Sequence, residues 1–424
     1  MSRRTAIPIT CGLFLFLTLV YAYSAVKAPY DSRWSIHTSL SLIEGSGGAL
    51  DDYLPVVAIS KFYAIQFVNG RPRTIFPIGV SVLVAPAVAA IALVDPSFKE
   101  RLRHNVPDGL EKILASMLGA AASVVFFWLI FLKFGQLSIA LATTFIFSFC
   151  TSIWSVATRA LWQHGPLVLM LAIAMLLIQQ ARKKPALIQY ASLPLAMAYL
   201  IRPTAAIPIV VLTAYVLAYY RAWFLRYLAW AALIAAPWIA FNFAIYGKIL
   251  SHYYFGLSYS GSTRFAEAAA GNLVSPARGL FVYSPVLLFS LSGFLLSLRD
   301  KEQRALHLAY GIIVAGMFIA ISLIPAWWAG HSFGPRYMTD LLPFLVYFTA
   351  FNFNVAASWR PAVMTAMGVL VAISVAIHAQ GALGGGPWRW NATPQDVDFN
   401  PSRLWDWRDL QFLASPPKLQ YPPG

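Results

Sequence analysis

Apolar runs of roughly 20 residues recur along nearly the whole chain, and they limit its fold more than any other feature. A helix needs about 20 such residues to cross a ~30 Å hydrocarbon layer, and in lipid every backbone polar group must be satisfied within the segment. Of the 424 residues 59% are hydrophobic and 11% charged, against about 25% charged in a soluble domain. The sequence therefore predicts an all-α, polytopic integral membrane protein. Room for further structure is left only at about 27–108, 247–278 and 381–424. The opening stretch, Ser2, Arg3 and Arg4 followed by apolar residues to Tyr23, shares features with a cleaved signal peptide. Its length and the spans that follow favour an uncleaved first crossing.

The net charge of +15 would suggest nucleic acid in a soluble protein. In a membrane protein, basic residues gather at cytoplasmic helix ends, and nucleic acid is not expected as a partner. Cys11 and Cys150 both lie inside apolar runs, so they predict packing rather than a disulfide or a zinc site.

Basic clusters punctuate the apolar runs at Arg3/Arg4, Lys133, Arg182-Lys183-Lys184, Arg221/Arg226, Arg299/Lys301/Arg304 and Arg360. If all are cytoplasmic, each neighbouring pair must enclose an even number of crossings. The runs near 136–156 and 164–181, 187–201 and 203–219, 226–246 and 279–298, and 305–324 and 338–356 obey this. The first interval holds three stretches, 7–26, 75–94 and 110–132, so one cannot span. The stretch 75–94 carries Pro77, Gly79 and Pro86 and makes the poorest continuous helix. It is expected to be juxtamembrane or re-entrant. The result is about eleven transmembrane helices, with a cytoplasmic amino terminus and an outer carboxyl terminus. Residues 1–380 form the transmembrane domain, with a large first outer loop at about 27–108, and 381–424 form a short outer tail. Of 16 acidic residues, all but Asp300 and Glu302 fall outside. None is expected mid-span, which counts against an ion-coupled transporter.

The outer segments also carry basic residues that the orientation bias does not explain: Arg33, Arg71, Arg73, Arg159, Arg202, Arg264, Arg278 and Arg336, with His164, His252 and His331. Arginine pairs bidentately with phosphate, and long cations also snorkel to headgroups. As a set they suggest a site for an anionic lipid phosphate. Arg202 stands out, because it precedes Pro203 in an apolar hairpin where an unpaired charge is costly. Among the first-loop carboxylates Asp31, Glu44, Asp51 and Asp52, Asp31 follows the first span almost at once. It could take a proton from an acceptor hydroxyl or hold a divalent metal, and it also suits the N-cap of segment 32–44. Trp162-Gln163-His164 and the run Trp327–Tyr337 place aromatics, histidine and arginine at outer turns, as a belt or as a site wall. Asn391-Ala392-Thr393 matches a glycosylation sequon. No Walker loop, dinucleotide fingerprint, HExxH or GxSxG is present.

These features together resemble the GT-C membrane glycosyltransferases, in particular the protein O-mannosyltransferases and the lipid A aminoarabinose transferase. The residues carrying the resemblance are Asp31, Ser39-Leu40-Ser41-Leu42-Ile43-Glu44-Gly45, Leu50-Asp51-Asp52-Tyr53, Phe76-Pro77-Ile78-Gly79 with Leu83 and Pro86, Leu161-Trp162-Gln163-His164, Arg202-Pro203, Ser275-Pro276-Ala277-Arg278-Gly279-Leu280 and Gly334-Pro335-Arg336-Tyr337. They run in order across about four-fifths of the chain. The resemblance implies a GT-C-like fold with juxtamembrane helices in the first outer loop. It implies an inverting hexosyl- or pentosyltransferase of the bacterial inner membrane, taking its sugar from a polyprenyl-phosphate donor. Asp31 inherits the role of general base or metal ligand, with Mg or Mn as the candidate ion. The lipid phosphate falls to Arg202 and Arg336, with Arg71, Arg73 and Arg278. Asp51, Asp52, Trp162, His164, His331 and Tyr337 are substrate-pocket candidates. The acceptor would be a glycolipid, polysaccharide or protein on the outer face. Two departures stand out. Ser32 follows Asp31 where many members have a second acidic residue, and Phe76 stands where the aminoarabinose transferase has a lysine. The rival readings are a lipid-linked-sugar flippase or transporter, and a polysaccharide polymerase or ligase.

Overall fold

The computed structural model describes residues 3–28, 31–55, 58, 63–256, 264–355, 359 and 361–415. Arg360, placed above among the cytoplasmic clusters, lies outside them, as does the end of the carboxyl-terminal tail. The described chain is mostly helical. Among the described residues five helices are long and apolar enough to cross a membrane: Asp108–Phe134, His164–Ala181, Arg221–Tyr246, Arg304–Ser322 and Pro361–Leu383. A sixth is reached if Gly79–Val94 and Phe98–His104, bent by 111° against one another, count as one broken crossing. The remaining apolar runs are helical but shorter, as at Ile7–Tyr23, Leu137–Phe149, Pro185–Ile201, Pro203–Tyr219 and Pro285–Ser297.

Prolines are one cause of the shortening. Pro185, Pro203 and Pro285 each open a 3-10 turn ahead of the α-helix that follows, since proline suits a first turn and not an interior. Leu137–Phe149 gives way to a π turn at Ile153–Ala157. At 1.5 Å per residue a 13-residue helix reaches only about 20 Å, less than the ~30 Å of a hydrocarbon layer.

The described residues of segment 27–108 are built into elements rather than loose. They include the helix Ser35–Ile43, the strands β1 (Ile65–Val68) and β2 (Arg71–Thr74), and the bent pair Gly79–Val94 and Phe98–His104. The hairpin departs from the all-helical expectation. Its turn is Asn69-Gly70, with φ of 53° and 76°, and the register sets Val68 opposite Arg71. Two successive positive φ values define a type I′ turn, which Asn-Gly favours. A second expectation also fails. Asp31 does not cap the following helix, which begins at Ser35 behind Trp34 and has no side-chain cap.

Contacts divide the chain into two compact units. One comprises Met1–Thr18, Lys27–Gly135 and Ala160–Ser258, the other Leu19–Val26, Gln136–Arg159 and Tyr259–Gly424. In the first, Gly79 lets its helix touch the chain at Leu200 and Ile201, where a Cβ would fall 2.4 Å from the Leu200 backbone. Backbone cannot yield as a side-chain tip can. Gly79→Ala is therefore expected to cost about 1–3 kcal/mol of overpacking, read as a lower thermal midpoint in detergent. In the second unit the described part of the segment, 381–415, packs into the core. Trp390, Val397 and Leu404 share a core with Ala268, Ala277 and Trp327.

Candidate active site

In the first unit one buried carboxylate organises the polar residues. Glu111 lies in the first turn of Asp108–Phe134, where a negative group is favoured by the helix dipole. It is 1% exposed. Its Oε1 accepts a hydrogen bond from the Ser32 hydroxyl and another from the Leu161 backbone N–H at 3.0 Å. Two distant turns, 31–34 and 161–163, are thereby fastened to one atom. Asp31 sits at the head of the first turn, half-buried, and its Oδ1 accepts the hydroxyl of Tyr63.

The second turn leads to Arg202. This residue closes the helix Ser192–Ile201 in an extended conformation, φ −154° and ψ 131°, as expected before a proline. Its side chain is buried, at 6% exposure. Nη1 donates to Gln163 Oε1 at 3.3 Å and Nε to Thr204 Oγ1 at 3.2 Å. Tyr253 also donates to Gln163 Oε1, at 3.3 Å, and its ring meets Phe76 edge-on at 5.6 Å. Trp162 and His164, on either side of Gln163, are fully buried. Two residues before Arg202, Leu200 lines an apolar groove of about 490 Å³ with Ile78, Val82, Trp238 and Phe241.

The other charges of segment 27–108 pair with one another. Arg71 pairs with Asp51 at 2.7 Å, and Lys99 with Glu44 at 2.9 Å and Asp52 at 3.1 Å. The hydrogen bond that Lys99 donates to Glu44, opposed by partial burial and joined by Asp52, raises the Lys99 pKa above its ordinary value. Tyr53 is pushed up to about 12, by burial first and then by Glu44 and Asp52. Arg73 is buried, which lowers its pKa, and donates to the Gly47 carbonyl. Asp51 and Asp52 are thus engaged by cations of their own loop, and Asp31 by Tyr63.

In the second unit Arg278 must be withdrawn from the phosphate-binding set. It is 1% exposed, and a guanidinium has five N–H donors. They go to Trp328 O, Ala277 O, Gln411 Oε1, Gly330 O and Asn391 Oδ1, at 2.7–3.1 Å. Burial lowers its pKa to about 10, so it stays charged at neutral pH. No donor is left over for a phosphate. The same contacts bury Asn391, so the sequon is inaccessible in the folded chain. Arg336 and Tyr337 are half-buried at the start of the 3-10 turn Arg336–Leu341, just after Gly334. His331 pairs with Asp396 at 3.0 Å.

Glu111 and Tyr63 were not among the residues expected from sequence. Glu111 was counted as an outer acidic residue at the end of an apolar run. Acidic residues in a first turn, here Asp108 and Glu111, signal a helix start but not burial. Asp340, counted the same way, is also fully buried.

The fold and this cluster define a helical membrane protein that holds a buried arginine and an acidic turn near an apolar groove. No family model, no curated protein and no solved structure matches the chain.

Proposed function

We propose that the protein is a GT-C-type glycosyltransferase of the bacterial inner membrane, with about eleven crossings and its active site on the outer face. It moves a sugar from a polyprenyl-phosphate donor to an outer-face acceptor. Asp31 takes the acceptor proton, and Arg202 holds the leaving phosphate and stabilises the charge it gains as the glycosidic bond breaks. A single base with in-line displacement gives inversion at the anomeric carbon. The observation that carries the reading is the chain of links through Glu111. It ties the turn bearing Asp31 to the turn whose Gln163 engages Arg202. The apolar groove at Leu200 suits an isoprenoid chain whose head reaches Arg202.

A Mg or Mn ion at Asp31 fits poorly. Ser32 stands where a second carboxylate would help, its hydroxyl is turned to Glu111, and Tyr63 takes one Asp31 oxygen. The base role needs no ion.

The rival is a flippase for lipid-linked sugar, which the buried arginine would also suit. The two differ in what they consume. With donor and acceptor in detergent, the transferase is expected to release polyprenyl phosphate, scored by thin-layer chromatography of radiolabelled donor. Movement of intact donor across sealed vesicles, with none consumed, would establish the rival instead.

A further inference from the structure

We infer that His331, Asp396 and Asp398 form a binding site for a divalent transition ion of the zinc class, which fastens the carboxyl-terminal segment to the turn at 328–331. This does not rest on the transferase reading, since all three residues belong to the second unit. Their ligand atoms lie within 4.8 Å of one another. His331 Nε2 stands 3.0 Å from Asp396 Oδ2 and 3.8 Å from Asp398 Oδ2. Metal–ligand bonds of about 2.0–2.2 Å at a tetrahedral centre put neighbouring ligand atoms about 3.4 Å apart. The two separations from His331 bracket that value, and the two carboxylate oxygens lie within 4.8 Å of one another.

The second oxygen of each carboxylate is already committed in the way ligand carboxylates are. Asp396 Oδ1 accepts the backbone N–H of Asp398 at 2.9 Å, and Asp398 Oδ1 accepts the Trp328 indole N–H at 2.6 Å. The remaining oxygens face His331. Val397 between them is fully buried in the local core, which fixes both aspartates outward. On the other side, Ala329 and Gly330 both take φ of 61°, turning the chain to present His331. Arg278 holds that turn through Trp328 O and Gly330 O, and holds the opposite segment through Asn391. Space is open above Gly330, where the nearest atom to a Cβ would be Asp398 Oδ2 at 3.9 Å. One imidazole with two carboxylates favours Zn2+ over Mg2+, which prefers oxygen alone. Three protein ligands leave a position for water.

The test is a Zn2+ titration of the full chain in detergent, with any polyhistidine tag removed, beside thermal unfolding with and without Zn2+. The wild type is expected to bind one Zn2+ per chain and to unfold at higher temperature with it. A tenfold excess of Mg2+ should not compete. Asp396→Asn with Asp398→Asn should weaken binding by at least about 100-fold, and Trp328→Phe, which loses only the outer donor, by about tenfold. His331→Gln, read beside its size-exclusion profile, guards against a double variant that fails to fold. Equal Zn2+ binding by wild type and by these variants, or displacement by Mg2+, overturns the inference.

Discussion

Asp31→Asn is expected to lower sugar transfer by about 100- to 10,000-fold, the usual contribution of a positioned general base, while donor affinity changes little. The substitution keeps the shape of the side chain and an oxygen that can still accept the Tyr63 hydroxyl. It removes only the capacity to take a proton. Loss confined to the chemical step would appear as a fall in kcat with KM for the donor nearly unchanged. The comparison that isolates the base is Tyr63→Phe, which keeps the carboxylate but not its hydrogen bond. It should cost far less than Asp31→Asn, because Tyr63 acts by orienting Asp31. Turnover by the Asn variant at the wild-type rate would remove Asp31 from the mechanism, whatever else the chain proves to do.

How much of this could be read from the residues depended on which force decided the local structure. Apolar runs dictated helices, and helices appear at each of them, because a lipid-facing backbone has no other partner than itself. The number of crossings was less legible. Parity counts charges at helix ends, whereas helix length is set by prolines such as Pro203 and Pro285, which open 3-10 turns inside apolar runs. Pro77, Gly79 and Pro86 predict the poorest continuous helix at 75–94, yet Gly79–Val94 runs unbroken through Pro86 and the bend falls only after Val94; the backbone of Leu200 shows why Gly79 is glycine. The hairpin had a clear local signal in Asn69-Gly70, masked by the expectation of an all-helical chain. For the site, Asp31 and Arg202 were legible from position: one just after a span, the other stranded before a proline. Glu111 was not, since a carboxylate at a helix mouth looks the same in sequence whether it meets water or the Ser32 hydroxyl. Burial is a property of the partners, and the partners are about 50 and 79 residues away.

Arg278 is the sharpest case of that rule, and it gives the largest expected effect on stability. Sequence offered it as a phosphate ligand, yet its five donors close on five acceptors of its own unit. Arg278→Ala would leave those acceptors facing a cavity. A buried polar group stripped of its partner costs about 1–3 kcal/mol, and removing one member of a buried charged network typically costs about 3–5 kcal/mol in all. Water entering the cavity would offset part of this, so a loss of about 3–5 kcal/mol is expected. The damage should spread through Gln411, whose side chain also accepts the Tyr283 hydroxyl and the Gly334 N–H and donates to Ser332 O and Pro387 O. Arg278→Lys retains the charge but not the planar fork, and is expected to recover little. Arg403→Lys is the control: that arginine lies at the edge of the same cluster, over the Trp390 ring at 4.2 Å and against Asp409 at 2.8 Å, and should lose less. Thermal unfolding in detergent reads the difference. If Arg278→Ala unfolds like the wild type and instead loses affinity for a polyprenyl-phosphate donor, the guanidinium is a phosphate ligand and not a structural one.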